Sequence, residues 1–502
     1  MPYPEGLPLH TIWDEIAYLI GSTKDLLSLA LTCRIFKKLI IPDHLEYRHI
    51  RYDLCRTDVW MSLCDRPRLA KGIRSVKLVC MAGPFVRLPR ALSGAPGGRH
   101  RAGRITCQLT DKELAMIRSS LSKMLSLKSF VWTPSYILPQ VVFDILKTLT
   151  SEIQFLEELS INFMRLMSSR EDTLLDNPSI WSLTNLTKVN MNYPVAAAVR
   201  MLIYCPNIEY LHLFQPFQAS VLYMMQYSHW KKLRRLNLGL AGAQIIPPSR
   251  PEEEDTPAII SSFFDRHPDL ESLHFTPFNI PIPKLSSTHL ARLRSAGGLY
   301  CAPDPFMLTS SFLSNDIISR LVHWRIQIAN VNIDSLPQMD KLESFYLPLE
   351  DSRLPDSFFT FLLKAPNLKK IYLEIDIEYY LYTRGCRGLG AWELVVDALL
   401  ECSSLTHAFC EFQFPYIMNT HESLWDSSAC AERSGADPRQ EALYKKLSAL
   451  PTLKYLRVTL SGGKKFVKLE RDGDGVYSGY QFVTSKEVGG CPRYWGDFFF
   501  EL

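Results

Sequence analysis

Two closely spaced carboxylates near the C-terminus, in Asp472-Gly473-Asp474-Gly475, are the most suggestive candidates for chemistry in this sequence. Their spacing resembles the start of a calcium-binding EF-hand loop, which takes oxygen ligands from positions 1, 3 and 5 and needs a glycine at position 6. Val476 offers no side-chain oxygen at the fifth position, and Tyr477 stands where the glycine belongs. We therefore predict that this segment is the turn of a β-hairpin and holds no calcium.

The histidines and cysteines do not form a recognisable metal-ligand or nucleophile pattern. His44 and His49 are too far apart in sequence to share one helix face. His407 and Cys410 lie in a predicted strand at a spacing that points their side chains to opposite faces. The chain has no Walker A, GxGxxG, GxSxG or HExxH motif. We expect no catalytic residue, no metal and no cofactor, and we expect that the protein is not an enzyme.

Length, charge and cysteine content restrict the class of protein. A chain of 502 residues is too long for a single hydrophobic core, which indicates several domains or a repeating architecture. Its net charge of +4 gives no reason to expect nucleic-acid binding. The longest stretch without Asp, Glu, Lys or Arg, residues 210–230, contains several His, Gln and Pro residues and is not a membrane span. The 12 cysteines without a CxxC pair and the lack of a signal-peptide pattern predict a cytoplasmic and/or nuclear protein.

A short apolar pattern, L-x-x-L-x-L, recurs along most of the chain, and amphipathic segments with helical spacing lie between its copies. The six consecutive copies from Leu127 to Leu270 are separated by 29, 30, 22, 25 and 37 residues, and most of these separations fall in or near the leucine-rich-repeat range of about 20–29 residues. Each unit therefore has the pattern of strand, loop, helix, loop. The copies begin at Ile73, Leu127, Leu156, Leu186, Ile208, Leu233, Leu270, Leu342, Leu368, Leu405 and Leu453.

One such unit cannot fold alone, because its few buried side chains do not offset the entropy of ordering about 25 residues. Neighbouring units must share a continuous core. We therefore predict an α/β protein whose residues 73–460 form an irregular leucine-rich-repeat solenoid, a horseshoe of about 10–12 strand–helix units. Insertions at 87–104, rich in arginine, and at 246–257, acidic and rich in proline, are predicted surface loops. Residues 461–502 are predicted to form a C-terminal β-hairpin or cap.

Apolar residues at helical spacing also fill the stretch from Leu7 to Leu45, ahead of the repeats. Ser22 or Thr23 can cap a helix that carries a stripe of apolar residues until Pro42 stops it. A piece of about forty residues cannot bury so many apolar side chains by itself. It must pack on the rest of the chain or bind another protein.

This stretch contains L-P, then I-W-x-E-I, then D-L-L-x-L-A-L-T-C-R-x-F-x-x-L-I-x-P, and it resembles an F-box of the type found in fungal (basidiomycete-type) leucine-rich-repeat F-box proteins. The resemblance implies a three-helix module at residues 1–48, followed by a helical linker or N-terminal cap at 49–72. It also implies binding to the small Skp-type adaptor of a cullin–RING ubiquitin ligase. The adaptor-binding candidates on this basis are Leu7, Pro8, Ile12, Ile16, Leu26, Leu27, Leu29, Cys33, Phe36 and Leu39.

A second surface follows from the alternation of side chains along each predicted strand. Residues between the apolar positions point away from the helices, toward the concave side of a horseshoe. Their aromatic and arginine content suits a protein interface. The substrate-binding candidates are Tyr210, His212, Phe214, Arg235, Asn237, His274, Tyr346, Lys370 and Tyr372.

The resemblance implies that the protein is the substrate-recognition subunit of an SCF-type ubiquitin ligase, with an unknown protein substrate. The small net charge and the lack of an apolar span predict neither nucleic acid nor membrane as a partner. Two alternatives stay open at this point. In the first, the chain is a non-catalytic repeat scaffold whose N-terminal helices only cap the solenoid, with Leu26, Leu29 and Phe36 buried against the first repeat. In the second, it is an enzyme with an unrecognised site, which would need a deep pocket lined by His, Asp or Glu.

Overall fold

A computed structural model describes much of the chain, in two units that comprise residues 1–267 and 268–502. The C-terminal two thirds of the predicted F-box stretch and most strands of the predicted repeats are included, whereas the loop at 87–104, most of the loop at 246–257, and residues Leu7 and Pro8 lie outside the described residues. The described residues are 12–13, 16–17, 19–20, 22–45, 48–53, 57–79, 110–133, 149, 155–162, 183–194, 196–214, 216, 218–239, 256–276, 284–297, 313–325, 335–349, 357–375, 396–397, 399–413, 438–460, 463–484 and 487–488.

In the first unit, parallel strands are hydrogen-bonded neighbours in chain order, which requires a crossover between each pair. The strands are β1 His49–Asp53, β2 Ser75–Val79, β3 Ser129–Trp132, β4 Glu158–Asn162, β5 Lys188–Asn192, β6 Tyr210–Phe214 and β7 Arg235–Gly239. The helices are α1 Thr23–Thr32, α2 Arg34–Ile40, α3 Thr57–Asp65, α4 Pro67–Gly72, α5 Asp111–Ser122, α6 Ala196–Met201, α7 Gln218–Tyr227 and α8 Thr256–Asp265.

The second unit repeats the parallel arrangement and ends in two antiparallel strands. Its strands are β8 Ser272–Thr276, β9 Ser295–Gly297, β10 His323–Arg325, β11 Ser344–Leu349, β12 Lys370–Ile375, β13 His407–Gln413, β14 Tyr455–Leu460, β15 Gly463–Arg471 and β16 Tyr477–Val483. Its helices are α9 Asn315–Ile318, α10 Ser357–Leu363 and α11 Pro438–Leu447. In the β15–β16 turn, the Asp472 carboxylate accepts from the backbone N–H groups of Asp474 and Val476 at 3.1 and 2.8 Å.

The mixed α/β class is confirmed, and every L-x-x-L-x-L copy contains a strand. Three strands were not predicted. The sequence predicted a helical linker at residues 49–72, but residues 49–53 form β1. This segment is a strand because it pairs in parallel with β2, with Ile50 beside Val76. In β9 the pattern that starts at Leu293 has Ala296 and Gly298 at its next two apolar positions, and β10 follows Leu321-x-x-Trp324-x-Ile326, a copy that the search for leucine overlooked.

Within each unit, consecutive parallel strands are joined by a backbone carbonyl that accepts two hydrogen bonds from the turn before the next strand. The Glu157 oxygen accepts from the backbone N–H groups of Thr187 and Lys188, at 2.8 and 2.9 Å. Side chains reinforce the same turns, since the Asn207 amide donates to the carbonyl of Thr184 at 2.6 Å. These bonds fix the stacking of consecutive units. The same double acceptance is made by the carbonyls of Arg48, Arg74, Lys128, Thr187, Glu209, Glu271, Arg294, Val322, Glu343, Lys369 and Thr406.

A buried tryptophan links three consecutive helical segments of the first unit. The Trp230 indole donates to the carbonyl of Leu202 at 3.1 Å, and its backbone N–H donates to Nε2 of His267 at 3.2 Å. Nδ1 of His267 in turn donates to the carbonyl of Phe263 at 2.6 Å. Because one ring nitrogen accepts and the other donates, His267 is neutral here. Burial lowers its pKa to about 4, which is consistent with this assignment.

Candidate interaction surfaces

The N-terminal stretch folds as short helical segments with clear local signals. The prediction of a helix cap is confirmed at Ser22, whose hydroxyl accepts from the backbone N–H of Asp25 at 3.2 Å. The single apolar helix expected up to Pro42 is instead divided at Cys33, whose extended backbone ends α1. The Cys33 sulfur accepts from the backbone N–H of Phe36 at 3.4 Å and so caps α2. The corner at Cys33 allows α2 to fold back on α1.

These helices enclose a small core made from their own residues. Ala17, Leu26, Ala30 and Ile40 are fully buried in it, and the half-buried side chains of Ile20, Leu29, Phe36, Leu39, Ile41 and Leu45 pack around them. Leu26 therefore holds the helices together and is not available to a partner, contrary to its place among the adaptor-binding candidates. Leu29, Phe36 and Leu39 offer only part of their side chains. All members of this cluster lie within residues 17–45, so the first alternative is wrong where it buries Leu26, Leu29 and Phe36 against the first repeat.

A second set of large apolar residues on the same helices is left outside this core. Leu19, Leu31 and Ile35 keep 75%, 70% and 74% of their surface exposed. Leu27 and Leu31 are four residues apart and share one face of α1. We call the full set the outer apolar residues: Ile12, Ile16, Leu19, Leu27, Leu31 and Ile35. Three of them, Ile12, Ile16 and Leu27, are among the predicted adaptor contacts. Leu31 and Ile35 were missed, although the four-residue step from Leu27 could have revealed Leu31.

Arg48 attaches this helical segment to the first strands. Its side chain is 2% exposed, and Nη2 donates to the carbonyl of Ala17 at 2.8 Å. Nη1 donates to the carbonyl of Ile20. Its own carbonyl accepts from Arg74 and Ser75 at the start of β2, at 2.9 and 3.0 Å. One residue thus connects the end of the first helical segment to the stacked repeats.

In the first unit, the predicted substrate-binding residues lie on one face of β6 and β7. Tyr210 pairs in register with Arg235, and His212 pairs with Asn237. The intervening Leu211 and Leu213 are fully buried, as the alternation requires. Burial lowers the pKa of His212 to about 4, so this ring is neutral at pH 7. Asn237 is buried, so contrary to its place among the substrate-binding candidates it offers little surface to a partner. Tyr210, His212 and Arg235 are half-buried, and Arg235 gives the edge of this face its charge.

Phe214 ends this row with an exposed ring. It pairs in register with Gly239, and a Cβ at residue 239 would lie 3.1 Å from the Phe214 ring. Glycine at this position therefore leaves room for the ring. Tyr193 packs edge-on against it, with 5.7 Å between ring centroids. Two aromatic rings beside a polar row match the composition of protein interfaces.

In the second unit, the predicted surface is partly covered. Tyr346 and Tyr372 are only 1% and 9% exposed, because they belong to a buried cluster with Phe409 and Val488. They do not line the open surface that the strand pattern predicts. His274 is also buried, whereas Lys370 is half-buried. The strand pattern assigned these residues to the correct face but could not identify what covers it.

Within the described ranges, no group of three or more His, Cys, Asp or Glu side chains is placed to hold a metal ion. No helix among the residues that the structure describes is both long and apolar enough to cross a membrane.

Comparison with known proteins finds distant similarity among solved structures. No protein-family model matches the chain. No curated protein matches it. Among solved structures, one chain of the crystal structure of the Rad7–Elc1 complex in yeast aligns with 16% sequence identity and a TM-score of 0.36, covering 80% of this chain and 89% of that chain.

Proposed function

We propose that this protein is a non-catalytic, intracellular interaction protein that binds a Skp-type adaptor through the outer apolar residues of its N-terminal helices. The observation that carries the proposal is the presence of two separate apolar sets on one short segment. One set closes a core around Leu26, and the other faces outward at Leu19, Leu31 and Ile35. A segment that needed only to cap the repeats would have no use for the second set, since exposed apolar patches mark interaction sites.

The strand faces of the leucine-rich-repeat-like units then serve to recognise a protein substrate. In this role the protein forms and breaks no covalent bond. It raises the effective concentration of substrate near the ubiquitin donor of a cullin–RING ligase, and the transfer chemistry belongs to other subunits. The proposed location is the cytoplasm and/or the nucleus.

The size of the adaptor contribution follows from the exposed area. Complete burial of a leucine or isoleucine contributes about 1.5–3 kcal/mol. Leu31 and Ile35 are 70% and 74% exposed. Burial of both against an adaptor would therefore stabilise the complex by about 2–4 kcal/mol. That range corresponds to a change in Kd of about 30- to 1,000-fold.

The test is a titration of the full-length protein with purified Skp-type adaptor, beside a Leu31→Asp/Ile35→Asp variant. We expect the wild type to bind and the variant to bind at least about thirtyfold more weakly. Its folding should be unaffected, because neither side chain is part of the core. Leu363→Asp is the matched control, since Leu363 is an equally exposed leucine on α10.

Each contrary result has a distinct meaning. A folded wild type that does not bind would favour the capping alternative and refute adaptor docking. Equal binding by wild type and variant would place the contact elsewhere on the chain. Loss of binding in the Leu363→Asp control would indicate non-specific apolar association.

A further inference from the structure

A row of aromatic side chains crosses neighbouring strands on the face of the second unit that points away from the helices. Arg325, Tyr346, Tyr372 and Phe409 stand at successive register positions of β10, β11, β12 and β13. The Arg325 guanidinium lies 4.8 Å from the centre of the Tyr346 ring. The rings of Tyr372 and Phe409 have centroids 4.7 Å apart. We call these four residues the aromatic row.

The chain places one of its own side chains on this row after its last strand ends. Val488 is 5% exposed and belongs to one buried cluster with Tyr346, Tyr372 and Phe409. Its backbone also forms a hydrogen bond with the ring of His407. Val488 thus fills the space that the predicted substrate-binding tyrosines would otherwise offer.

The connection that brings Val488 to the row is a local turn. The backbone N–H and hydroxyl of Thr484 both donate to the Glu487 carboxylate, at 2.6 and 2.8 Å. The backbone N–H of Glu487 donates to the carbonyl of Thr484 at 3.1 Å. Neither residue is part of a strand, so the placement of Val488 depends on this turn and on the fit of one aliphatic side chain.

The surroundings of the row are basic. Lys468 acts electrostatically on the Glu487 carboxylate, and Lys370 and Lys454 act on His407. Arg325 ends the row with a further positive charge that is buried against an aromatic ring. An incoming segment with an acidic residue followed by an aliphatic one matches this combination of charge and rings, as Glu487–Val488 does.

We propose that the aromatic row is a docking site for a short peptide segment of acidic–aliphatic type, and that Glu487–Val488 occupies it as an internal competitor. The site would be the substrate-side surface of the proposed function. Since its test requires no adaptor, a failure here leaves adaptor docking intact, and a failure of adaptor docking leaves this site intact.

The first experiment measures how accessible Tyr372 becomes when Val488 is displaced. Tyrosine nitration is mapped by peptide mass spectrometry in full-length wild type and in Val488→Asp. We expect nitration of Tyr372 to rise severalfold in the variant, because a carboxylate is not tolerated among three aromatic rings. Val476→Asp makes the same chemical change at an exposed valine in the hairpin turn and should leave the wild-type rate unchanged.

The second experiment tests whether the row binds a peptide in trans. A synthetic peptide with the sequence of residues 482–490, FVTSKEVGG, is added in excess to the Val488→Asp protein. We expect saturable protection of Tyr372 by this peptide and no protection by the same peptide with Asp in place of its second valine.

Three results would overturn the proposal. Unchanged nitration of Tyr372 in Val488→Asp would mean that the terminal segment does not cover the row. Exposure of Tyr372 without protection by the peptide would mean that Val488 is only a core side chain. Equal protection by both peptides would indicate non-specific shielding. If Val488→Asp fails to fold, Val488→Ala gives the same readouts, because it removes the aliphatic contact without adding a charge.

Discussion

Arg48 offers the sharpest test of how the N-terminal helices are attached to the repeats. Its guanidinium donates to the carbonyls of Ala17 and Ile20, in a site where the side chain is almost completely buried. A hydrogen bond from a charged group contributes about 1.5–3 kcal/mol. Replacement by methionine keeps the apolar stem and removes both bonds. At about 1.5 kcal/mol for each of the two bonds, the free energy that holds the helical segment on the repeats should fall by about 3 kcal/mol.

Hydrogen exchange measured by mass spectrometry shows which segments of the chain are destabilised. In Arg48→Met we expect peptides from residues 22–45 to exchange faster, with an opening constant raised about a hundredfold. Peptides from β4 to β7 should exchange as in the wild type, because their carbonyl-to-amide stacking does not involve Arg48. Arg68→Met is the matched control, since Arg68 is an exposed arginine on α4.

Two outcomes would refute this reasoning. Unchanged exchange in residues 22–45 would mean that the small core around Leu26 holds the helices in place without Arg48. A uniform increase across the first unit would mean that Arg48 stabilises the whole unit and does not act at one attachment point.

Two further predictions concern stability. The Arg471 side chain donates to the carbonyls of Leu453 and Leu450, at 2.8 and 2.6 Å, and joins the hairpin to the last repeat. Arg471→Met should therefore lower the free energy of unfolding by about 2–4 kcal/mol in urea titrations. The control Arg292→Met breaks an exposed ion pair with Asp269 and should lower it by less than about 1 kcal/mol. Equal losses in the two variants would mean that Arg471 does not stabilise the join between the hairpin and the last repeat. For His267, burial lowers the folded-state pKa to about 4, below the ordinary value of 6.5, so the unfolded chain binds more protons between these values. The free energy of unfolding should therefore fall as the pH is lowered from 6.5 toward 4. Urea midpoints measured at several pH values should depend less on pH in His267→Gln than in the wild type. An equal pH dependence in both would mean that other histidines cause the effect.

Much of the fold follows from local patterns in the sequence. Alternating apolar residues such as Leu211 and Leu213 define a strand with one buried face, and the amphipathic segments between strands define the helices. The helix start at Ser22 follows from the same kind of local signal. Two of the strands that escaped prediction have weak or altered patterns. In β9 the sequence has Ala296 and Gly298 at the apolar positions after Leu293, and β10 has Trp324 in place of leucine. These segments are strands because their backbones hydrogen-bond to neighbouring strands, which a pattern of side chains does not reveal.

The candidate surfaces were predicted less well, because exposure is a property of the packed chain. The resemblance grouped Leu26 with Leu27, but helix geometry turns one inward and the other outward, and the corner at Cys33 decides which residues close the core. The four-residue step from Leu27 could have revealed Leu31, but Ile35 became visible as a candidate only when that core was known.

The sequence by itself determined the repeating strand–helix pattern, the apolar N-terminal segment and the face on which each strand residue lies, since these depend on the periodicity of neighbouring residues. Only the tertiary structure decided which of those faces is free. Tyr372 and Val488 are more than a hundred residues apart in the chain, and no local pattern relates them. Their contact exists because stacked strands bring the aromatic row together and the last turn returns the chain across it. Long-range packing of this kind, and not residue type, separates a covered surface from an available one.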